Sequence, residues 1–123
     1  MDTSIQIKKI KEGNFSITIH SPVIIFRKYE RNWIAEIPQL RIFGYSEQGK
    51  DEAIEDLKES LKVFFEIHGE DGTLEEALTS FGWKPGSTQK SKVKKISEQG
   101  NFVPPYGYPD YEPANDIQFE SAI

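Results

Sequence analysis

The sequence has no cysteine, a single methionine and only two histidines. The absence of cysteine excludes a disulfide scaffold, a cysteine-ligated zinc site and a thiol nucleophile. No apolar run approaches the roughly 18 residues that cross a membrane, and residues 1–11 alternate polar and apolar without the apolar stretch of a signal peptide. The sequence therefore predicts a cytoplasmic protein that does not enter a membrane.

Motifs of known catalytic chemistry are also missing. The chain has no glycine-rich phosphate loop, no G-x-S-x-G and no H-E-x-x-H. His20 and His68 lie on different predicted elements without the paired spacing of metal ligands, so we interpret both as ordinary structural residues. Glu36, Asp51 and Glu52 could together hold a divalent ion for nucleic-acid cleavage, which is a remote alternative. The main expectation is a protein without catalytic residues, metal or cofactor.

The 123 residues fit one domain, and their net charge of −5 disfavours a nucleic-acid binder. The sign of the charge alternates along the chain. Residues 1–46 hold seven basic and four acidic residues, and residues 47–83 hold three basic and eleven acidic residues. Residues 84–100 hold five basic residues and one acidic residue, and residues 101–123 hold four acidic residues and no basic one. The small net charge therefore conceals a strongly acidic middle segment and a basic connector.

The first part of the chain has the period-two pattern of β-strands. Phe15 to His20 alternates cleanly, and the alternation before Gly13 is weaker, so we expect strands on both sides of that glycine. On a later strand Trp33 and Ala35 share one face, and Pro38 ends the strand. Three more strands are predicted after the first two, over residues 23–29, 33–37 and 40–45.

The period then changes to 3.6 and predicts an amphipathic helix from Lys50 to Ile67. Thr73 and Glu76 have capping-box spacing for a second helix of about two turns, and Gly82 with Trp83 indicates its C-terminal glycine and hydrophobic clasp. The apolar stripe of the long helix consists of Ala53, Ile54, Leu57, Leu61, Phe64 and Phe65.

The C-terminal part of the chain has weaker signals. Residues 91–97 could form one further strand, and residues 101–123 are rich in proline and aromatic residues, which predicts an extended segment that docks on this chain or on a partner. We divide the chain into an N-terminal strand or hairpin region (1–22), a core (23–83), a basic connector (84–100) and an acidic aromatic tail (101–123).

The core segment resembles the HicB-like antitoxin family. The resemblance lies in the order of a strand, Trp33-Ile-Ala-Glu-Ile-Pro-Gln-Leu40, Phe43-Gly-Tyr-Ser46, Asp51-Glu-Ala-Ile54, a long helix and the ending Gly72-Thr-Leu-Glu-Glu-Ala-Leu-Thr-Ser-Phe-Gly-Trp83. It implies an α+β fold in which one long helix packs on a face of an antiparallel β-meander and a second, short helix follows. This fold is a partial ribonuclease H-like arrangement that lacks the acidic catalytic residues of that enzyme. The residues expected to define this fold are Trp33, Ala35, Pro38, Gly44, Ala53, Leu57, Leu61, Gly82 and Trp83.

The resemblance also implies a function. Members of the family bind and block HicA, a small basic toxin that cleaves messenger RNA, and the −8 block at residues 47–83 suits a basic partner. The same acids could equally be the solvated face of a helix. The residues expected to bind a partner are Glu52, Glu55, Asp56 and Glu59 on the helix and Tyr106, Tyr108 and Tyr111 in the tail.

Residues 84–123 show no helical period, so we expect no helix-turn-helix or ribbon-helix-helix and no sequence-specific DNA binding. The connector lysines could make nonspecific phosphate contacts; these are Lys90, Lys92, Lys94 and Lys95. A second hypothesis is an orphan, self-associating structural module without a toxin. Under either hypothesis the free strand edges of a small meander predict a homodimer or higher homo-oligomer.

Overall fold

The computed structural model describes residues 3–11, 14–85, 100–104 and 113–122. The predicted strand at 91–97, the four connector lysines and the three tail tyrosines lie outside these residues. The strands are β1 (Ser4–Lys11), β2 (Asn14–His20), β3 (Ile25–Tyr29), β4 (Asn32–Ile37), β5 (Ile42–Ser46), β6 (Lys84–Pro85), β7 (Gly100–Val103) and β8 (Ile117–Ala122), and the helices are α1 (Lys50–Asp71) and α2 (Leu74–Ser80).

The described strands form two antiparallel sheets, and α1 packs against strands of both. This confirms the prediction of an α+β fold with one long and one short helix. The meander β3-β4-β5 is one of the sheets. The other has five strands in the order β6-β7-β1-β2-β8, an arrangement that the sequence did not predict.

The five-stranded sheet joins residues from both ends of the sequence. β1 and β2 form a hairpin in which Ile7 lies opposite Ile17, and β8 pairs along β2 with Phe119 opposite Ile17. β7 pairs with β1 so that Phe102 lies opposite Ile5. Phe102 is buried and Phe119 is partly buried against the core, so these two aromatic side chains of residues 101–123 dock on their own chain.

The meander begins and ends close to the predicted positions. β3 starts at Ile25 rather than Val23, and β5 starts at Ile42 rather than Leu40. The second difference arises because residues 38–41 form a turn: Leu40 N donates to Ile37 O and Arg41 N to Pro38 O. The turn ends with Arg41 in the left-handed region at φ 56°. Leu40 is therefore a buried turn residue rather than the first residue of a strand.

α1 is four residues longer than predicted and ends at a left-handed C-cap, Gly72 (φ 71°), whose N–H donates to Gly69 O. The expected capping box at Thr73 is wrong, since its side chain does not cap α2. The Thr73 hydroxyl instead lies 2.8 Å from Nδ1 of His68, on the last turn of α1. The hydroxyl thus links the two helices.

The turn after α2 brings Trp83 into the core. Gly82 has φ 89°, a left-handed conformation that suits glycine, and Trp83 N donates to Leu78 O. The Trp83 ring is buried, and its Nε1 donates to Gln39 O at 2.8 Å. The indole therefore joins the end of α2 to the turn between β4 and β5.

One core lies between the sheets and α1. Its buried side chains include Ala35 and Ile37 of β4, together with isoleucines of β1 and β2. The α1 residues in it are Ala53, Leu57, Leu61 and Phe65. Among the described residues, no helix combines the length and apolar character that crossing a membrane requires.

Candidate protein-binding face

The exposed side of α1 carries the acidic residues that the sequence singled out. Glu52, Glu55, Asp56 and Glu59 are all exposed, because the buried stripe turns the opposite side of the helix towards the strands. α1 thus separates an apolar stripe in the core from an acidic surface in solvent.

Two aliphatic side chains interrupt this acidic surface. Val63 is 51% exposed and Ile67 is 52% exposed, and the two are one helical turn apart. At about 100° per residue, Val63 lies on the same side of α1 as Glu59 and far from the buried stripe. We call Glu52, Glu55, Asp56, Glu59, Val63 and Ile67 the α1 face.

Val63 and Ile67 were not predicted from the sequence to be binding residues. The signal was available, since neither residue falls on the stripe of Ala53, Leu57 and Leu61 at three- and four-residue steps. Their exposure changes the chemistry of the surface. A purely acidic helix face is well solvated alone, whereas an apolar pair with a charged rim has the layout of a protein-binding surface, in which an apolar centre is surrounded by a polar rim.

The carboxylates on the α1 face differ in their partners. Asp56 Oδ2 accepts a hydrogen bond from Tyr45 N at 3.0 Å, so this side chain covers part of the outer edge of β5. Glu55 Oε1 lies 3.3 Å from Nζ of Lys58. Glu52 and Glu59 make no hydrogen bond or ion pair with the part of the chain that the structure describes, so their charge is available to a partner.

A lysine at the start of α1 is turned away from these acids. Lys50 Nζ lies 5.1 Å from the centroid of the Phe26 ring and 4.9 Å from that of Trp33. Lys28 Nζ lies 5.2 Å from the same Trp33 ring. An ammonium group placed above the face of an aromatic ring is attracted to the ring's electrons. Lys50 therefore adds little positive charge to the α1 face.

The acidic set proposed for a metal ion does not form a cluster. Glu36 Oε1 instead pairs with Nη2 of Arg27 at 2.8 Å. Within residues 3–11, 14–85, 100–104 and 113–122, no three side chains of histidine, aspartate or glutamate gather closely enough to hold a metal ion. The geometry gives no support to the nuclease alternative.

His20 takes part in a polar network between the two ends of the sequence. Its Nδ1 lies 3.1 Å from Oδ2 of Asp116 and its Nε2 3.3 Å from Oε1 of Gln6. Asp116 Oδ1 also accepts a hydrogen bond from Ser21 N at 2.8 Å. The Ser21 hydrogen bond, and then the one from His20, lower the pKa of Asp116 below its ordinary value. This network fastens β2 to the segment before β8.

A cavity of about 180 Å³ lies beside this network. It is smaller than the roughly 300–1,000 Å³ of typical small-molecule pockets. Three isoleucines form most of its apolar wall, and Lys58 and Asp116 stand at its polar side. Because both charged groups already have partners, the α1 face remains the stronger candidate site.

The tail tyrosines Tyr106, Tyr108 and Tyr111, and the connector lysines, fall outside the described residues and stay sequence-based expectations. Comparison with protein-family models, curated proteins and solved structures finds no match to this chain.

Proposed function

We propose that this chain is a non-enzymatic, HicB-like antitoxin that binds a small basic toxin of the HicA type through the α1 face. The observation that carries the proposal is the exposed pair Val63 and Ile67 on the same side of α1 as Glu52 and Glu59, whose carboxylates have no partner among the residues that the structure describes. The resemblance of residues 23–83 to the family supplies the identity of the partner.

The two kinds of residue have different roles in recognition. Carboxylates attract a basic partner, speed its association and select against acidic proteins. The apolar pair supplies area that leaves water on contact, at about 25 cal/mol per Å² of apolar surface. Binding at the α1 face would neutralise a toxin by covering the basic surface with which it holds RNA phosphates.

The other features of the proposal follow from the sequence. The protein acts in the cytoplasm, needs no metal or cofactor and does not read a DNA sequence. The fold that we propose is the HicB-like, partial ribonuclease H-like one, with β3-β4-β5 and α1 as its common part. The tail tyrosines are a second contact with the partner in this account.

The experiment uses the product of the adjacent reading frame as the probe. We expect that product to be a small basic protein that co-purifies with this chain, with an affinity that falls as salt rises. Glu52→Gln and Glu59→Gln together should weaken binding and flatten its salt dependence. Glu120→Gln is the control: it removes one exposed carboxylate, half of the charge that the double variant removes, from β8 rather than from α1, and should leave binding unchanged.

Two results would decide for the other hypotheses. An adjacent product that is not basic, or that does not bind, contradicts toxin neutralisation and leaves the orphan structural module. Cleavage of RNA or DNA by the pure protein with Mg²⁺ or Mn²⁺, lost in Glu36→Gln, would revive the nuclease. We expect no cleavage, because Glu36 is engaged by Arg27.

A further inference from the structure

β5 is an edge strand of the meander, because no described strand pairs with it on the side away from β4. Tyr45 N donates to Asp56 Oδ2 at 3.0 Å, so this N–H points away from β4. In an antiparallel strand the N–H and C=O of every second residue point to the same side, so Phe43 also directs its N–H and C=O outwards. Outward groups of this kind are the template to which another strand adds.

The acidic side of α1 borders this edge. The helix packs directly on β5, since a Cβ atom on Gly44 would clash with the α1 backbone, and the Asp56 carboxylate reaches the edge itself. Glu52, Glu59 and Val63 lie four, three and seven residues from Asp56. These spacings place the four side chains along one stripe of the helix. A strand added beside β5 would therefore lie along that stripe.

The other side of the meander has an apolar surface at the same edge. Phe43 is 52% exposed and Tyr45 58%, and both rings project away from α1 because Gly44, between them, faces the helix. Ile34 of β4 lies opposite Tyr45 and is partly exposed. Exposed apolar side chains thus flank the β5 edge on both sides, with the two rings on one side and Val63 on the other.

We infer that the outer edge of β5 receives an extended strand of the basic partner, which extends the meander to four strands. The inference rests on the proposed function for the identity of that partner. Alternate residues of an added strand face opposite sides of the sheet. Those that face α1 meet Asp56, Glu52 and Glu59 and are basic, whereas those that face the other side meet the rings of Phe43 and Tyr45 and are apolar.

Asp56 occupies the place of the missing strand in the free chain. Its carboxylate accepts from Tyr45 N as a carbonyl of a neighbouring strand would. When a partner carbonyl takes over this hydrogen bond, the Asp56 carboxylate becomes available to a lysine or arginine of the partner. The exchange keeps the N–H of Tyr45 bonded in both states.

Charge selects a basic strand over a second copy of this chain. β5 carries no charged residue of its own. Two copies that paired at this edge about a two-fold axis would bring their α1 helices to the same side of the joined sheet, with the acidic stripes facing each other. Glu52 and Glu59, which make no hydrogen bond or ion pair with the described residues, would then repel their counterparts. A basic strand meets opposite charge at the same place.

Amide hydrogen exchange of the full chain, followed by NMR with and without the product of the adjacent reading frame, tests the inference. Binding should slow the exchange of the outward N–H of Phe43 by at least tenfold, because a partner carbonyl then accepts from it. Lys28 is the control. By the same alternation carried across β4, its N–H points outwards from β3, the opposite edge of the meander, and should exchange at the same rate in both samples.

Two variants at one position separate the backbone from the side chain. Phe43→Ala and Phe43→Pro both remove the ring, but only proline also removes the outward N–H, and the ladder to β4 does not use that N–H. We expect Phe43→Pro to bind the adjacent product at least tenfold more weakly than Phe43→Ala does. The urea midpoint of each variant shows whether it is folded, and the exchange measurement on the wild type needs neither variant.

The outcomes distinguish this inference from the proposed function. If the adjacent product binds and the exchange of Phe43 is unchanged, the inference is overturned and the α1 face alone remains. Equal affinities of folded Phe43→Ala and Phe43→Pro overturn it in the same way. An adjacent product that does not bind overturns the proposed function and this inference with it. Slower exchange at Phe43 in the chain alone as its concentration rises would assign the edge to a second copy and overturn the inference.

Discussion

Gly44 of β5 lies directly against the backbone of α1 at Leu57. A Cβ atom built on Gly44 would clash with Leu57 N, and it would also lie 2.6 Å from Ala53 O and 2.7 Å from the backbone carbon of Asp56. None of these atoms belongs to a flexible side chain that could move aside. The absence of a side chain at Gly44 is therefore what allows the helix to approach the meander closely.

The first prediction concerns this contact. Gly44→Ala should destabilise the fold by about 3 kcal/mol or more, above the usual cost of overpacking, because backbone must move to admit the methyl group. The measurement is the free energy of unfolding in urea. Gly72→Ala is the control, since nothing lies within 4 Å of its added Cβ and only the left-handed φ of 71° is strained. It should cost roughly 1–2 kcal/mol. Equal effects in the two variants would contradict close packing at Gly44.

The second prediction concerns the indole of Trp83. Trp83→Phe keeps an aromatic ring in the core but removes the donor to Gln39 O, so we expect a loss of roughly 1–3 kcal/mol. Trp83→Ala also removes the buried ring and should cost roughly 3–5 kcal/mol. Urea unfolding followed by far-UV circular dichroism measures both. A Phe variant as stable as the wild type would show that the hydrogen bond does not contribute.

The third prediction concerns pH and Asp116. Its folded pKa lies below the ordinary value of 3.8, so the charged carboxylate stabilises the fold above that pH, and the contribution is lost as pH falls through the lower folded pKa. Asp116→Asn should be less stable than the wild type at pH 6, with the difference shrinking below about pH 4. The urea midpoint at each pH is the measurement. If the stability difference between the wild type and Asp116→Asn stayed constant down to pH 2, the charge of Asp116 would not be its source.

Much of the fold could be predicted from sequence because its elements have clear periods. Period two marked β2 and β4, and a period of 3.6 marked α1, whose buried residues Ala53, Leu57 and Leu61 all came from the predicted stripe. The glycine at position 82 predicted the turn that buries Trp83. These signals are local, and each depends on residues within about ten positions of one another.

The five-stranded sheet could not be predicted in the same way. β8 pairs with β2, although about a hundred residues separate the two strands in the sequence. In the sequence, β8 appears only as a short alternation of apolar and polar residues after a proline-rich stretch. Long-range pairing leaves no periodic signal of its own. The helix was predicted to end at Ile67, before the stretch from Gly69 to Gly72, whereas Gly69 is buried inside α1 and Gly72 is the C-cap.

The candidate site was predicted in part. Charge counting found the carboxylates of the α1 face, but it could not distinguish those with structural partners, such as Asp56, from those without. Val63 and Ile67 were overlooked because aliphatic residues in a helix are normally assigned to the core. Their exposure could have been inferred, because the predicted stripe of Ala53, Leu57 and Leu61 leaves both residues on another side of the helix.

The most direct test of the central claim is the affinity of the adjacent gene product for Val63→Ser/Ile67→Ser, measured by isothermal titration calorimetry beside the wild type. Both side chains are about half exposed, so the variant should keep its stability. We predict that the double variant loses affinity by at least tenfold, about 1.4 kcal/mol. Val103→Ser is the control, since it replaces an exposed aliphatic residue on β7 and should bind with the affinity of the wild type. Unchanged affinity in the double variant would contradict the assignment of the α1 face as the binding surface.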